Sequence, residues 1–177
     1  MQLLKQIAGD EVWEIWRQVE GHSSLLFRTD IRDCLPNNLI WHLCEVQEED
    51  IDRFYIISSD DWADISEGSF LVANVTRRID LPSSNQDTQR IAQDIARKIA
   101  YMRSGGQLDT RLIVITDSTS LYGPFTLIEG NKRAVAFTRM NVFVGSSVFV
   151  GYSPCVVDCI WARHTYRQFL ASRQSLQ

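Results

Sequence analysis

Glu129-Gly130-Asn131-Lys132-Arg133 sets an acid, a glycine, an amide and two cations side by side. A short apolar run precedes them, "FTLI" at 125–128, and residues suited to a helix follow, "AVAFTRM" at 134–140. The pattern reads as a strand, a glycine turn and a helix. The first turn of a helix leaves about four backbone N–H groups without intrahelical partners, and the macrodipole makes that end attractive to anions. Gly130 lets the backbone bend sharply and lets a ligand approach. Arg133 can grip a phosphate with two parallel hydrogen bonds, and Lys132 adds a point charge. Gly130, Asn131, Lys132 and Arg133 are therefore candidate ligands for a phosphate group. The segment is not a Walker sequence. Its plain alternative is an ordinary helix start with two solvated cations.

Two carboxylates accompany this turn. Glu129 could hold a magnesium ion bridging phosphates or act as a general base; it could equally be an acid at a strand end. Asp117 opens the loop after another apolar run, "RLIVIT" at 111–116. It is a candidate accessory carboxylate, with a turn-forming role as the alternative. Arg77, Arg78 and Arg90 could add positive field nearby, although solvated arginines are the default.

Other groupings are weaker. Cys155-x3-Cys159-x4-His164 and Cys34…His42-x-Cys44 lack the paired C-x2-C spacing usual in structural zinc sites, so the cysteines read as core residues. No serine nucleophile elbow is present. The acidic runs at 45–52 and 58–62 read as solvated turns, and the five tryptophans as core.

The elements that would position these residues follow from periodicity. Val12, Ile15, Trp16 and Val19 are at helical spacing. "LIWHLCEV" (39–46), "RFYIIS" (53–58) and "SFLVANVTRRI" (69–79) read as strands, with an acidic turn before the second and a polar loop or helical turn at 59–68. Ile91, Ile95, Ile99 and Met102 mark a helix over 85–103, with Ser84 and Asp87 resembling an acidic capping box and Gly105-Gly106 as its stop. Strands are expected at 111–116 and 125–129, a helix at 132–140, one or two strands at 142–153 and a terminal helix at 159–172. Helices and strands interleave, so the class is α+β, or α/β, with a mixed sheet and flanking helices.

At 177 residues, 45% of them apolar, the chain suits a single domain. No linker separates residues 1–68 from the rest, which places them as an extension packed on a core at 69–153. A net charge of −4 does not support a grip on nucleic acid through bulk charge. No apolar run approaches the roughly 20 residues that span a bilayer, and Met1-Gln2-Leu3-Leu4-Lys5 lacks the marks of a signal peptide. The expectation is a cytoplasmic protein, away from membranes, with reduced cysteines.

The order of elements from 75 to 139 resembles the ParB/sulfiredoxin-like superfamily. The matching pieces are "NVTRRIDLPSSNQD", the helix "TQRIAQDIARKIAYMRSGG", the strand "LIVITD" and the box "LIEGNKRAVAF". Gly130 and Arg133 stand where the superfamily keeps the glycine and arginine of a G-x-x-R box. The resemblance implies a phosphate-binding box at Gly130, Asn131, Lys132 and Arg133, with ATP or CTP and magnesium as the ligand class and phosphoryl transfer or nuclease activity as the chemistry. Asn131 replaces the reactive cysteine of sulfiredoxins, which argues against sulfinic acid reduction. The residues after Met140 are too few for a partition protein's DNA-binding region. The alternative is a non-catalytic adaptor that keeps the fold and docks a protein partner.

Overall fold

The computed structural model describes residues 1–20, 31–119 and 121–167. Six strands form one mixed sheet: β1 (Gln2–Ile7), β2 (Ile40–Glu45), β3 (Phe54–Tyr55), β4 (Leu112–Thr116), β5 (Phe125–Glu129) and β6 (Ser147–Tyr152), in the order β1-β2-β6-β4-β5-β3. Among the described residues, five helices of seven residues or more accompany it: α1 (Gly9–Glu20), α2 (Asp60–Ser66), α3 (Val72–Arg78), α4 (Gln86–Arg103) and α5 (Asn131–Arg139). Residues before 69 supply three of the six strands, so the N-terminal stretch is built into the same sheet as the rest.

Burial explains the arrangement. β4 and β5 are buried at every residue, as near-continuous apolar runs require when both faces of a strand are covered. β4 runs parallel to β6 and antiparallel to β5, with Ile113 opposite Glu129 and Ile115 opposite Thr126. At the other edge, β1 carries five exposed residues out of six. Its QLLKQI sequence has no burial pattern that would announce a strand, and it forms through antiparallel pairing with β2.

Helix α4 buries Ile91 and Ile95 and packs on α5, which also contacts α3. Its N-cap is Asn85, whose side chain accepts hydrogen bonds from the Asp87 and Thr88 amides at 2.9 and 3.2 Å. The capping box expected at Ser84 is therefore displaced by one residue. Asn is as good a cap as Ser, and its reach to the second and third amides decides the matter.

The largest correction concerns residues 69–79, which the alternation and β-branched content mark as a strand. They contain helix α3 instead. Val72, Val75, Thr76 and Ile79 are buried, and their spacing of three, four and seven residues is the helical one. Packing overrides the strand preference of valine and threonine. The segment that the resemblance matched to a first strand is thus helical. The acidic turn at Glu48–Arg53 is a 3-10 helix, and Asp60–Ser66 is helical rather than loop. Only one strand occupies 142–153. Pro154–Asp158 forms a 3-10 helix, so the terminal helix starts at 163 rather than 159; the end expected for it, at 172, lies outside the described residues.

Candidate functional site

Strand β5 ends at Glu129, and the chain turns at Gly130 with φ 88° and ψ 17°. This left-handed conformation favours glycine. A side chain here would also run into Leu112 on the neighbouring strand β4, which is fully buried. Two independent constraints, backbone angle and space, therefore fix glycine at the turn.

Helix α5 begins directly after it. Ala134 N–H donates to the Gly130 carbonyl at 2.8 Å. The amides of Asn131, Lys132 and Arg133 meet no acceptor among the described residues, as at any uncapped helix start. The side chains of the same turn are more occupied. Asn131 Oδ1 accepts a hydrogen bond from the Ile57 amide at 3.0 Å, which fastens the chain leaving β3 to the start of α5. Lys132 pairs with Asp94 on α4, and the same carboxylate also receives Arg97. The Lys132 hydrogen bond holds the Asp94 carboxyl below its ordinary range, more than burial raises it.

Arg133 is the most committed of the four. Its side chain is 8% exposed and forms an ion pair with Glu129, itself 7% exposed. Its other terminal nitrogen donates to the Asp109 carbonyl at 2.7 Å. A buried guanidinium needs such partners, because an unpaired charge in the interior is costly. The arginine thus ties the end of β5 and the loop at Asp109 to the first turn of α5. Asp109 is itself held ionised, chiefly by its hydrogen bonds from the Arg111 side chain.

These residues line a cleft of about 680 Å³, within the usual range for small-ligand sites. Glu129, Gly130, Asn131, Lys132 and Arg133 all reach it, and Trp62, Trp161, Ile57 and Leu108 supply an apolar side. The sequence-derived group therefore does converge on one concavity. Asp117 does not join it. β4 and β5 are antiparallel, so Asp117, after the C-terminal end of β4, sits at the opposite end of the sheet from Glu129. The separation along the strand is about 13 Å. The Asp117 amide instead donates to the Tyr166 hydroxyl at 2.7 Å. Arg77, Arg78 and Arg90 are also elsewhere, bonded to Asn74, Glu67 and Asp87 respectively. Among the described residues, no group of three or more His, Cys, Asp or Glu could hold a metal ion.

One residue of the cleft escaped the motif reading. Lys98, on α4, is half-buried on the same wall and has no hydrogen-bond or ion-pair partner among the described residues. Burial pushes its ammonium pKa down, and the nearby Arg133 and Lys132 push it further, against the pull of Asp94 and Glu129. The signal was available in principle. Lys98 follows Ile91 by seven residues and Ile95 by three, which sets it on the inward stripe of the helix.

No helix among the described residues is long and apolar enough to cross a membrane. Comparison with protein-family models, with curated proteins and with solved structures gives no match for this chain.

Proposed function

We propose that the cleft at the start of α5 binds a small phosphate-bearing ligand of the nucleotide class, ATP or CTP. The observation that carries this reading is Lys98, a half-buried cation with no hydrogen-bond or ion-pair partner among the described residues, beside the open amides of a helix start. A desolvated charge of this kind is unfavourable unless an anion completes it. A phosphate would accept from the amides of Asn131 and Lys132 and pair with Lys98. Lys132 can contribute if it exchanges Asp94 for the ligand. Arg133 shapes the turn from within and is not a ligand in this scheme. A magnesium ion would travel with the phosphates, keeping most of its waters, and Asp61 is the exposed carboxylate on the cleft to meet it. The function proposed is binding rather than catalysis. Glu129, paired with a buried guanidinium, is poorly disposed to act as a base, and Asp117 is remote.

A second reading rests on the Arg133–Glu129 pair itself. A box whose arginine is consumed internally can be a purely structural brace, and the protein is then a non-catalytic adaptor. Thermal denaturation with ATP, CTP and inorganic phosphate, with and without magnesium, separates the two. A ligand at 100 times its dissociation constant stabilises the wild type by about 2.7 kcal/mol, and Lys98→Met abolishes that gain. A flat response from the wild type to every ligand removes the binding proposal and leaves the adaptor.

A further inference from the structure

Two cysteines distant in sequence meet behind one wall of the cleft. The Cys159 thiol donates to the carbonyl oxygen of Cys34 at 3.5 Å, across 125 positions of chain. The two residues are thus in contact through the Cys34 carbonyl, and Cys34 is close enough to raise the Cys159 thiol pKa. Both segments are held by local hydrogen bonds. Cys34 N–H donates to the Ile31 carbonyl at 3.2 Å, and the Cys159 carbonyl accepts from the Ala162 amide at 3.0 Å. Ile31 and Trp161, a few residues away on each segment, line the cleft.

The pair is chemically asymmetric. Cys34 is exposed and Cys159 is buried. Burial raises the Cys159 thiol pKa, and the proximity of Cys34 adds to that. The exposed Cys34 sulfur can meet an oxidant, and a second cysteine in contact with its backbone can resolve the adduct, slowly because burial keeps the Cys159 thiol protonated. The remaining cysteines differ. Cys44 is fully buried in β2, with its thiol pushed up to about 11, and Cys155 is exposed on the 3-10 helix.

We propose that Cys34 and Cys159 are a reversible redox modification site, closed to a disulfide by a small-molecule disulfide such as oxidised glutathione. The Cys34 thiolate attacks one sulfur of the oxidant, forming a mixed disulfide and releasing one glutathione thiolate. Cys159 then loses its proton to solvent and attacks the Cys34 sulfur, breaking the mixed disulfide and releasing the second glutathione. The protein loses two electrons and two protons, and the glutathione disulfide is reduced to two thiols. The bond fastens the segment carrying Ile31 to the segment carrying Trp161, which fixes that wall of the cleft.

The experiment treats the intact protein with oxidised glutathione, blocks remaining thiols with N-ethylmaleimide and maps the peptides by mass spectrometry. The expected product is a peptide linking Cys34 to Cys159, with a mass lower than the two free peptides by about 2 Da. Cys155→Ser retains it, and Cys34→Ser, at an exposed position that folding tolerates, abolishes it and leaves Cys159 blocked only by the maleimide after denaturation. A stable glutathione adduct on Cys34, a link from Cys34 to Cys155, or no oxidation of Cys34 overturns the proposal.

Discussion

Arg133 and Lys98 bear the same charge on the same cleft and live in opposite conditions. Arg133 sits in the conspicuous glycine box, yet it is buried, paired with Glu129 and bonded to the Asp109 carbonyl. Lys98 belongs to no motif, yet it is a half-buried cation that no described residue meets in a hydrogen bond or ion pair, with Asp94 and Glu129 acting on it only through space. A group fully satisfied by its own protein has little left to offer a ligand. A group that pays desolvation without a partner has its binding capacity unspent. The contrast separates a residue that builds the site from one available to use it.

Removing the Arg133–Glu129 brace is expected to have the largest effect. Arg133→Met leaves Glu129 without its guanidinium and is expected to cost about 3–5 kcal/mol in urea unfolding. A loss below about 1 kcal/mol would mean that the pair contributes no framework, and the distinction from Lys98 would fail. Gly130→Ala comes next, at about 2–4 kcal/mol, because it combines a left-handed backbone with overpacking against Leu112. Asn131→Ala is expected to cost about 1–2 kcal/mol by orphaning the Ile57 amide. If that variant unfolds at the wild-type urea midpoint, the link between β3 and α5 is dispensable.

The other side of the comparison predicts a gain. Lys98→Met should stabilise the ligand-free protein at pH 7, by up to about 1 kcal/mol. The sign with pH follows from the depressed ammonium pKa. As pH rises toward the ordinary lysine range, the folded protein releases the Lys98 proton before the unfolded chain does, so wild-type stability recovers and the gap to Lys98→Met narrows. Paired urea titrations at pH 7 and 9.5 read this directly, and a gap that widens would reverse the assignment. The smallest effect belongs to Asp117→Asn, which should leave phosphate or nucleotide binding unchanged in calorimetry, since Asp117 lies at the far end of the sheet.

Legibility in the sequence varied with the kind of constraint. The helix at 85–103, the strands at 111–116 and 125–129, and the turn at Gly130 announce themselves through periodicity and one backbone demand. Helix α3 did not, because β-branched residues at three- and four-residue spacing satisfy both a strand preference and a helical stripe, and only the burial of Val72, Val75 and Ile79 against their neighbours chooses. β1 was invisible, because an exposed edge strand imposes no apolar alternation and exists through its partner β2. Cys34 and Cys159 could be read as core cysteines one by one, but nothing in the chain pairs them.

By itself, the sequence determined an interleaved α+β chain with a glycine-led helix start flanked by Glu129, Lys132 and Arg133, because spacing and a positive backbone angle are local properties. Tertiary structure alone decided which of those charges neutralise one another, that Asp117 lies away from them, and that Lys98 faces the cleft without a direct ion-pair partner. Pairing and desolvation depend on distances between segments, and those are set when the antiparallel register of β4 and β5 and the packing of α4 on α5 bring remote residues together.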